Sequence, residues 1–513
     1  MFIAYRFRIL AILLTVAFPP LRPMAQGAEQ STLKAALLSI RANDLKAHVN
    51  VLADDTFEGR EAGSRGGRAA GGYLASHLQK AGLRGGGDAE GYFQQFGTHR
   101  NVLAVLEGSD PVLKNEFIIL GAHYDHVGYG NARNSYGPTG YIHNGADDNA
   151  SGTASLLELA DAFASLPVPP KRSILFAFWD GEEAGLLGSK HWISRPTIPK
   201  DRIAFAFNID MLGRLRNNRI EILGNRTSYG LRKMVSRHNQ EIGLELDFTW
   251  EMTANSDHYT FASNNIPVLM PFTGLHEDYH RPSDDAEKIN NAGMERVVRL
   301  LFLVSQEIAE VPDRFTFRAN ALRETPVLRQ QFEKSQPAAP PRLGVSWKVR
   351  DPFDGLELTR VDRQSPADQA GLRVGDRIVN FAEAPITDEN QFRIALLAAR
   401  SPAHFGIVRV GETLPQTVSV PIVGQPIRLG VTWREDDAEP GTIFLTQVVN
   451  GSAAQQAGLR ERDRVYEVGG RIFKNADEFR ALITTLPTPI EMLIERNGRM
   501  STVQLAVPPV ATE

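Results

Sequence analysis

Cysteine is absent from all 513 residues. That one absence excludes disulfides, thiolate metal sites, a thiol nucleophile and a Cys-linked lipid. Any metal must therefore be held by His, Asp and Glu. A positive excess is missing as well: 56 Lys and Arg stand against 60 Asp and Glu, a net charge of −4, and no basic run is interleaved with aromatics. No nucleic-acid partner is expected on that balance. Long apolar runs are missing with one exception. Arg6 and Arg8 precede the run Ile9 to Phe18, which is followed by Pro19, Pro20 and the small-residue stretch Ala25-Gln26-Gly27-Ala28. The run is shorter than the roughly 20 residues a membrane span needs, and the proline pair would end a helix there. Its order is that of a secretory signal spanning residues 1–27, with cleavage after Gly27. The protein is therefore expected to be exported, periplasmic or extracellular, with no stable membrane span after cleavage. An uncleaved anchor is the alternative.

What is present is ample apolar material, 42% of residues, for packed cores. The length is enough for two to four domains. From about Thr32 to Ala309, short β-branched or aromatic runs alternate with amphipathic stretches, the pattern of an α/β domain. Phe117 to Leu120, Ser173 to Trp179 and Ile203 to Ile209 read as buried strands, and Leu156, Leu159, Ala160 and Phe163 recur at helical spacing. After Pro312 a polar stretch ending Ser335-Gln336-Pro337-Ala338-Ala339-Pro340-Pro341 reads as a semi-rigid linker, 312–341. Beyond it lies an internal repeat with a period of about 86 residues. Arg342-Leu343-Gly344-Val345-Ser346-Trp347 recurs as Arg428-Leu429-Gly430-Val431-Thr432-Trp433, and Ala370-Gly371-Leu372-Arg373 as Ala457-Gly458-Leu459-Arg460. The two copies span 342–424 and 427–508.

Hard and borderline ligands stand at the ends of the strands, where loops above a sheet converge. The first strand runs into Ala122-His123-Tyr124-Asp125-His126, in which His123 suits a metal and Asp125, two residues on, suits its ring. Gly145-Ala146-Asp147-Asp148-Asn149 puts adjacent carboxylates at the mouth of a helix, where the helix terminus alone would favour them. Asp180-Gly181-Glu182-Glu183 follows an apolar strand, and the repulsion between two such glutamates calls for a cation or a proton. One of the pair suits a metal and its neighbour a general base. Asn208-Ile209-Asp210 and Tyr279-His280-Arg281-Pro282-Ser283-Asp284-Asp285 complete the series. Singly, each acid or His is satisfied as a cap or surface charge. Five such places in order are not.

Together the segments AHYDH, GADDNASG, DGEEAG, NIDM and YHRPSDD resemble the secreted two-zinc aminopeptidases and their relatives, the glutamate carboxypeptidases and glutaminyl cyclases. The resemblance covers roughly the first 310 residues, including the lead-in Leu52 to Arg60, and it implies a zinc peptidase domain over 28–311. The implied fold is α/β, a mixed central β-sheet flanked by helices. Two Zn²⁺ ions are implied, one on His123 and Asp210, the other on Glu183 and His280, with Asp148 bridging them and Asp147 in reserve as the bridge. Glu182 is implied as general base and Asp125 as the outer partner of His123. Peptides with a free α-amine are the implied substrates. Ser256-Asp257-His258 resembles a further family segment without supplying ligands. The Gly-, Asn- and Tyr-rich stretch Val127 to His143 is either a lid or substrate loop, or a plain surface insertion. Glutaminyl cyclization and carboxypeptidase chemistry remain alternatives. The latter needs basic residues to grip an α-carboxylate; Arg281 and Arg214 are the nearest, and surface solvation is expected for both.

The repeat resembles PDZ domains of bacterial envelope proteases, so two small β-rich domains are expected. That resemblance implies that the loops Leu343-Gly344-Val345 and Leu429-Gly430-Val431 hold a C-terminal carboxylate while the peptide adds as a strand. Helices from about Asp388 to Ala399 and Ala476 to Ile483 would wall each groove. C-terminal peptides are the expected ligands, a packing platform the alternative, and a non-catalytic peptide-binding protein the reading from a different class.

Overall fold

The protein is described by a computed structural model covering residues 22–335 and 341–507. The apolar run Ile9 to Phe18 and linker residues 336–340 lie outside the described residues. Among those described, no helix is long and apolar enough to cross a membrane.

The first sheet comprises β1 (Arg84–Gly85), β2 (Phe93–Phe96), β3 (His99–Leu106), β4 (Phe117–His123), β5 (Ser173–Trp179), β6 (Ile203–Asn208), β7 (Arg219–Leu223), β8 (Glu245–Phe248) and β9 (Val268–Phe272). Their order is β1-β3-β5-β4-β6-β9-β7-β8, with β2 beside β3. The central strands β5, β4, β6 and β9 run parallel, and β3 and β7 turn antiparallel at the flanks. A mixed sheet is what the resemblance to the two-zinc aminopeptidases implies. Strands β4, β5 and β6 are buried at every residue, because helices cover both faces and leave no side to alternate toward water.

The helices are α1 (Arg22–Ser39), α2 (Ala42–Leu52), α3 (Arg65–Lys80), α4 (Gly152–Ala164), α5 (Leu187–Ser194), α6 (Leu231–Ile242), α7 (His258–Ala262) and α8 (Asn291–Glu310). The two-residue period of a strand splits the core in two. Ile118, Leu120 and Ala122 of β4 join Leu45, Leu74, Leu156 and Val298 from α2, α3, α4 and α8. Ile119 joins Trp192 and Phe261 from α5 and α7 on the other face. Pairing of His123 with Trp179 and of Gly121 with Asn208 brings the carboxyl ends of β4, β5 and β6 level, so the segments that follow them meet above one edge.

The expected linker is partly structured. A helix, α9 (Pro326–Phe332), begins on a Thr325 cap with Pro326 in the first turn. Its Phe332 ring lies between Trp250 of the first domain, at 5.4 Å, and Phe444 of the second repeat, at 4.8 Å. The polar, proline-bearing composition concealed this helix because its ordering comes from two aromatic contacts of Phe332 and an ion pair of Arg329 with Asp247 rather than from an apolar stripe.

Each repeat folds as a small antiparallel sheet: β10 (Val345–Val349), β11 (Leu356–Val361), β12 (Arg377–Phe381), β13 (Ala384–Pro385), β14 (Ala403–Val408) and β15 (Gln416–Val420), then β16 (Val431–Glu435), β17 (Ile443–Val448), β18 (Arg464–Val468), β19 (Ile490–Arg496) and β20 (Arg499–Leu505). Helices α10 (Pro366–Gln369) and α11 (Glu389–Ala398) serve the first, α12 (Ala453–Gln456) and α13 (Ala476–Thr485) the second. The copies share even their bulges, after Ser346 and after Thr432. The second repeat docks on the first domain. Arg232 of α6 makes a two-pronged, buried ion pair with Glu495 of β19 at 2.8 and 3.0 Å, and Arg226 reaches Asp436 at 2.8 Å.

Candidate active site

At the end of β4, His123 points Nε2 at two carboxylates at once, Asp210 Oδ1 and Asp148 Oδ1, each 3.3 Å away. Its Nδ1 faces the main-chain oxygen of Asp125 at 3.2 Å, an atom that only accepts, so Nδ1 carries a proton and Nε2 is the nitrogen presented to the carboxylates. Asp125 does more than the sequence suggests. Its carboxylate lies 3.7 Å from His123 Nδ1 and also accepts from the main-chain amides of Glu182 at 3.1 Å and Glu183 at 3.4 Å. One buried acid thus fixes the β4 loop against the β5 loop.

Asp148 is the hub. Its Oδ1 faces His123, and its Oδ2 faces His280 Nε2 at 3.1 Å. His280 Nε2 is in turn 3.2 Å from Glu183 Oε2. The five residues predicted as ligands therefore fall into two groups, His123 with Asp210 and His280 with Glu183, and Asp148 offers one oxygen to each. Asp147 turns away: its Oδ1 accepts from Gly213 N and Ser151 Oγ, and its Oδ2 lies 3.1 Å from His276. The reserve choice for the bridge is thereby separated from the cluster.

The loops are fixed by groups to which the sequence alone assigned no bracing role. Asn149 donates to His123 O and Ile209 O and accepts from Gly152 N and Met211 N, tying three strand-end segments together. Gly152 is needed there, since a Cβ would stand 2.3 Å from both Asn149 Oδ1 and Ile209 O. The amides of Asp147 and Asp148 both donate to Asp284 Oδ2, and Asp284 Oδ1 pairs with Arg214 at 2.9 Å. Arg214 is thus corrected from a solvated surface residue to an ion-paired brace, also holding Asp278 at 3.1 Å. Arg281 is no freer: it donates to the main-chain oxygens of Tyr136 and Gly137. Arg60, fully buried, donates to four main-chain oxygens, those of Leu52, Tyr124, Asn144 and Gly145. Ser256 Oγ donates to Asp210 Oδ2 at 2.7 Å, leaving Oδ1 toward His123.

His126 was also missed. Its Nδ1 lies 2.8 Å from Glu183 Oε1 and 3.7 Å from Asp148 Oδ2. The signal was in the sequence, three residues after His123, but an extended chain would have turned it to the opposite face from Asp125.

Electrostatics show what the cluster would accept. Burial opposes ionisation of Asp148, yet hydrogen bonds from His123 and His280 hold its carboxyl well below the usual range. Burial would lower His280, and the carboxylates of Asp148 and Glu183 outweigh it and push the imidazole up to about 11. The acids thus recruit protons onto imidazoles where a divalent cation is the natural counter-charge. The donor set, imidazole and carboxylate with no sulfur, fits zinc, and two three-residue groups around it are already assembled: His123, Asp148 and Asp210, and His126, Asp148 and Glu183. Glu182 stands apart from both. Burial, and next the nearby acids, raise its carboxyl well above its ordinary value, and it borders a cavity of about 390 Å³ with Tyr259, Thr260 and Asn255.

Residues 101–305 match peptidase family M28, and 341–420 and 444–496 match PDZ domains. The chain carries an M28 peptidase domain followed by two PDZ domains. It is 30% identical over 254 residues to leupeptin-inactivating enzyme 1 of Streptomyces exfoliatus, covering 48% of this chain and 52% of that protein. It is 30% identical over 190 residues to an aminopeptidase of Pseudomonas aeruginosa, covering 34% of this chain and 31% of that one. The chain thus spans about half or less of these relatives. Among solved structures, the Legionella pneumophila LapA aminopeptidase aligns with a TM-score of 0.47 and 20% identity, over 55% of this chain and 76% of that one. In M28 terms, the cluster sits at the carboxyl end of the domain's central strands.

Proposed function

We propose that the protein is an exported two-zinc aminopeptidase that removes N-terminal residues from peptides. The observation that carries this reading is Asp148, whose two oxygens face two separate donor groups while the side chain of Glu182 stands free beside a cavity. His123 and Asp210 would hold one zinc, Glu183 and His280 the other, and Asp148 both. When bound, the pair of ions would supply Lewis acidity toward a water and a peptide carbonyl. Asp125 keeps Glu182 and Glu183 in register with His123. Glu182 takes a proton from the attacking water and returns it to the departing amine, and its raised proton affinity suits both halves of that task. The relatives named aminopeptidases support the exopeptidase reading over cyclization. The export reading rests on the Arg6-to-Ala28 pattern. For the PDZ domains, β10 and β16 at the sheet edges, next to left-handed Gly344 and Gly430, support strand addition by C-terminal peptides.

The deciding measurement is hydrolysis of a panel of aminoacyl p-nitroanilides, with and without N-acetylation, by metal-loaded and chelator-stripped protein. Cleavage of free-amine substrates only, lost on stripping and restored by about two zinc equivalents, is expected. Equal cleavage of acetylated substrates, or none of the panel in a metal-loaded protein, overturns it.

A further inference from the structure

A second cluster of metal-ligating side chains lies on the helical layer. His48 of α2, His77 of α3, and Glu158 and Asp161 of α4 converge there. Donor atoms of His48, His77 and Asp161 all lie within 4.8 Å of one another. His77 Nε2 is 2.9 Å from Asp161 Oδ2, and His48 Nε2 is 3.7 Å from Glu158 Oε1. The imidazoles meet edge to face with centroids 4.8 Å apart. We propose that these four residues form a third zinc site, separate from the M28 cluster, which clamps α2, α3 and α4 together.

Three observations carry this. The first is the outer partner of His48: Tyr73 OH lies 2.6 Å from Nδ1, which fixes the ring and leaves Nε2 directed at the cluster, the arrangement that metal-bound histidines use. The second is Glu158. Its side chain is only 6% exposed, and the nearest cationic candidate is His48, at 3.7 Å. A buried carboxylate without a counter-charge is unfavourable. A cation held at His48 Nε2 would supply that counter-charge. The third is access: His77 and Asp161 are 24% and 40% exposed, so an ion can enter from solvent.

Imidazole with carboxylate selects borderline cations of the zinc type over magnesium or calcium. Four donors about 2.0–2.1 Å from a tetrahedral ion stand a little over 3 Å apart, so the 2.9 and 3.7 Å pairs are near that spacing already. The site is positioned to matter for stability rather than chemistry, because α4 starts at the Asp148 turn and α2 ends at Leu52, whose oxygen holds Arg60.

The test counts metal on the full chain. Chelator-stripped protein is reloaded with Zn²⁺, desalted and analysed by atomic emission, for the wild type, H77A/D161A, and D148N/H280A. The double helix-site variant is expected to bind one equivalent fewer than wild type with unchanged hydrolysis. D148N/H280A, impaired in the M28 cluster, is expected to retain the helix-site ion. Co²⁺ loaded into D148N/H280A should give a d–d absorption band that H77A in the same background abolishes. Zn²⁺ should also raise the melting temperature of D148N/H280A, and not that of the same chain carrying H77A. Equal zinc content in wild type and H77A/D161A, or no His77-dependent cobalt band, overturns the proposal. Neither readout depends on how many ions the M28 cluster holds, so failure of the aminopeptidase reading remains separately visible.

Discussion

The imidazole of His280 donates from Nδ1 to the main-chain oxygen of Asn134 at 2.9 Å, and the oxygen of His280 accepts in return from Tyr136 N at 3.0 Å. The stretch Val127 to His143 is therefore a brace for a ligand residue. It fixes the proton on Nδ1 and turns Nε2 toward Asp148 and Glu183.

Replacing residues 129–141 with a short glycine-serine bridge should weaken zinc at the His280 side by roughly 10- to 100-fold, the usual cost of losing an outer partner. Chelator competition should then strip one ion well before the other. Loss of both ions together, or of neither, would show that the loop does not orient His280.

Ser256→Ala removes the hydroxyl that holds Asp210 Oδ2. An effect of similar size, about 10-fold or more, is expected on the opposite ion. Combined with the loop replacement, the two losses should multiply, because they act on different sides of Asp148; isothermal titration with Zn²⁺ checks this.

Glu182→Gln should lower kcat by roughly 100- to 10,000-fold with zinc content unchanged, because Glu182 belongs to neither three-residue ligand group and its role is to carry the proton. Retained activity would remove Glu182 from the reaction.

At the domain interface, burial and then Asp436 push Glu439 up to about 7 from an ordinary 4.5, against the pull of Arg464 and Arg232. A carboxyl raised on folding stabilises most below its unfolded value, and that contribution disappears as the pH rises through the folded value. Glu439→Gln should therefore gain on the wild type between about pH 4.5 and 7 by an amount on the order of 3 kcal/mol, and no further above that. Thermal midpoints of both proteins at pH 4.5, 7 and 8.5 test the sign. A gap that narrows with rising pH would refute it.

Arg232→Met strands Glu495 in the same interface and should cost about 3–5 kcal/mol. Adding Glu495→Gln should return a good part of it. Proteolysis between the M28 and PDZ domains would read the loosening directly.

Much of the site was legible because strand ends are legible. An apolar run that stops at His123, Trp179 or Asn208 announces both the strand and the residues held above it, and the resemblance to the two-zinc aminopeptidases carried the choice of Asp148 over Asp147. What escaped were residues whose role depends on a distant partner. Arg214 looks like any solvated arginine until Asp284 is folded beside it. Asn149 shows no sign of its four bonds, and the clustering of His48 with His77 needs three helices to be packed before it exists. The helix α9 escaped for the same reason: its anchor, Phe332, finds its neighbours more than 80 residues away in one direction and more than 100 in the other.

The docking of the second PDZ domain onto α6 changes how the chain is to be cut. The path leaves the peptidase at α9, makes the first PDZ domain, and comes back to the peptidase with the second. The first PDZ domain is consequently a closed excursion anchored at both ends, Arg434 holding Phe332 at one and Ile427 bonded to Leu397 at the other. A truncation at residue 424 would not yield a tidy peptidase. It would leave Arg232 facing water where Glu495 had been and Arg226 with Glu324 but without Asp436, so the smallest faithful unit for biochemistry keeps the second PDZ domain.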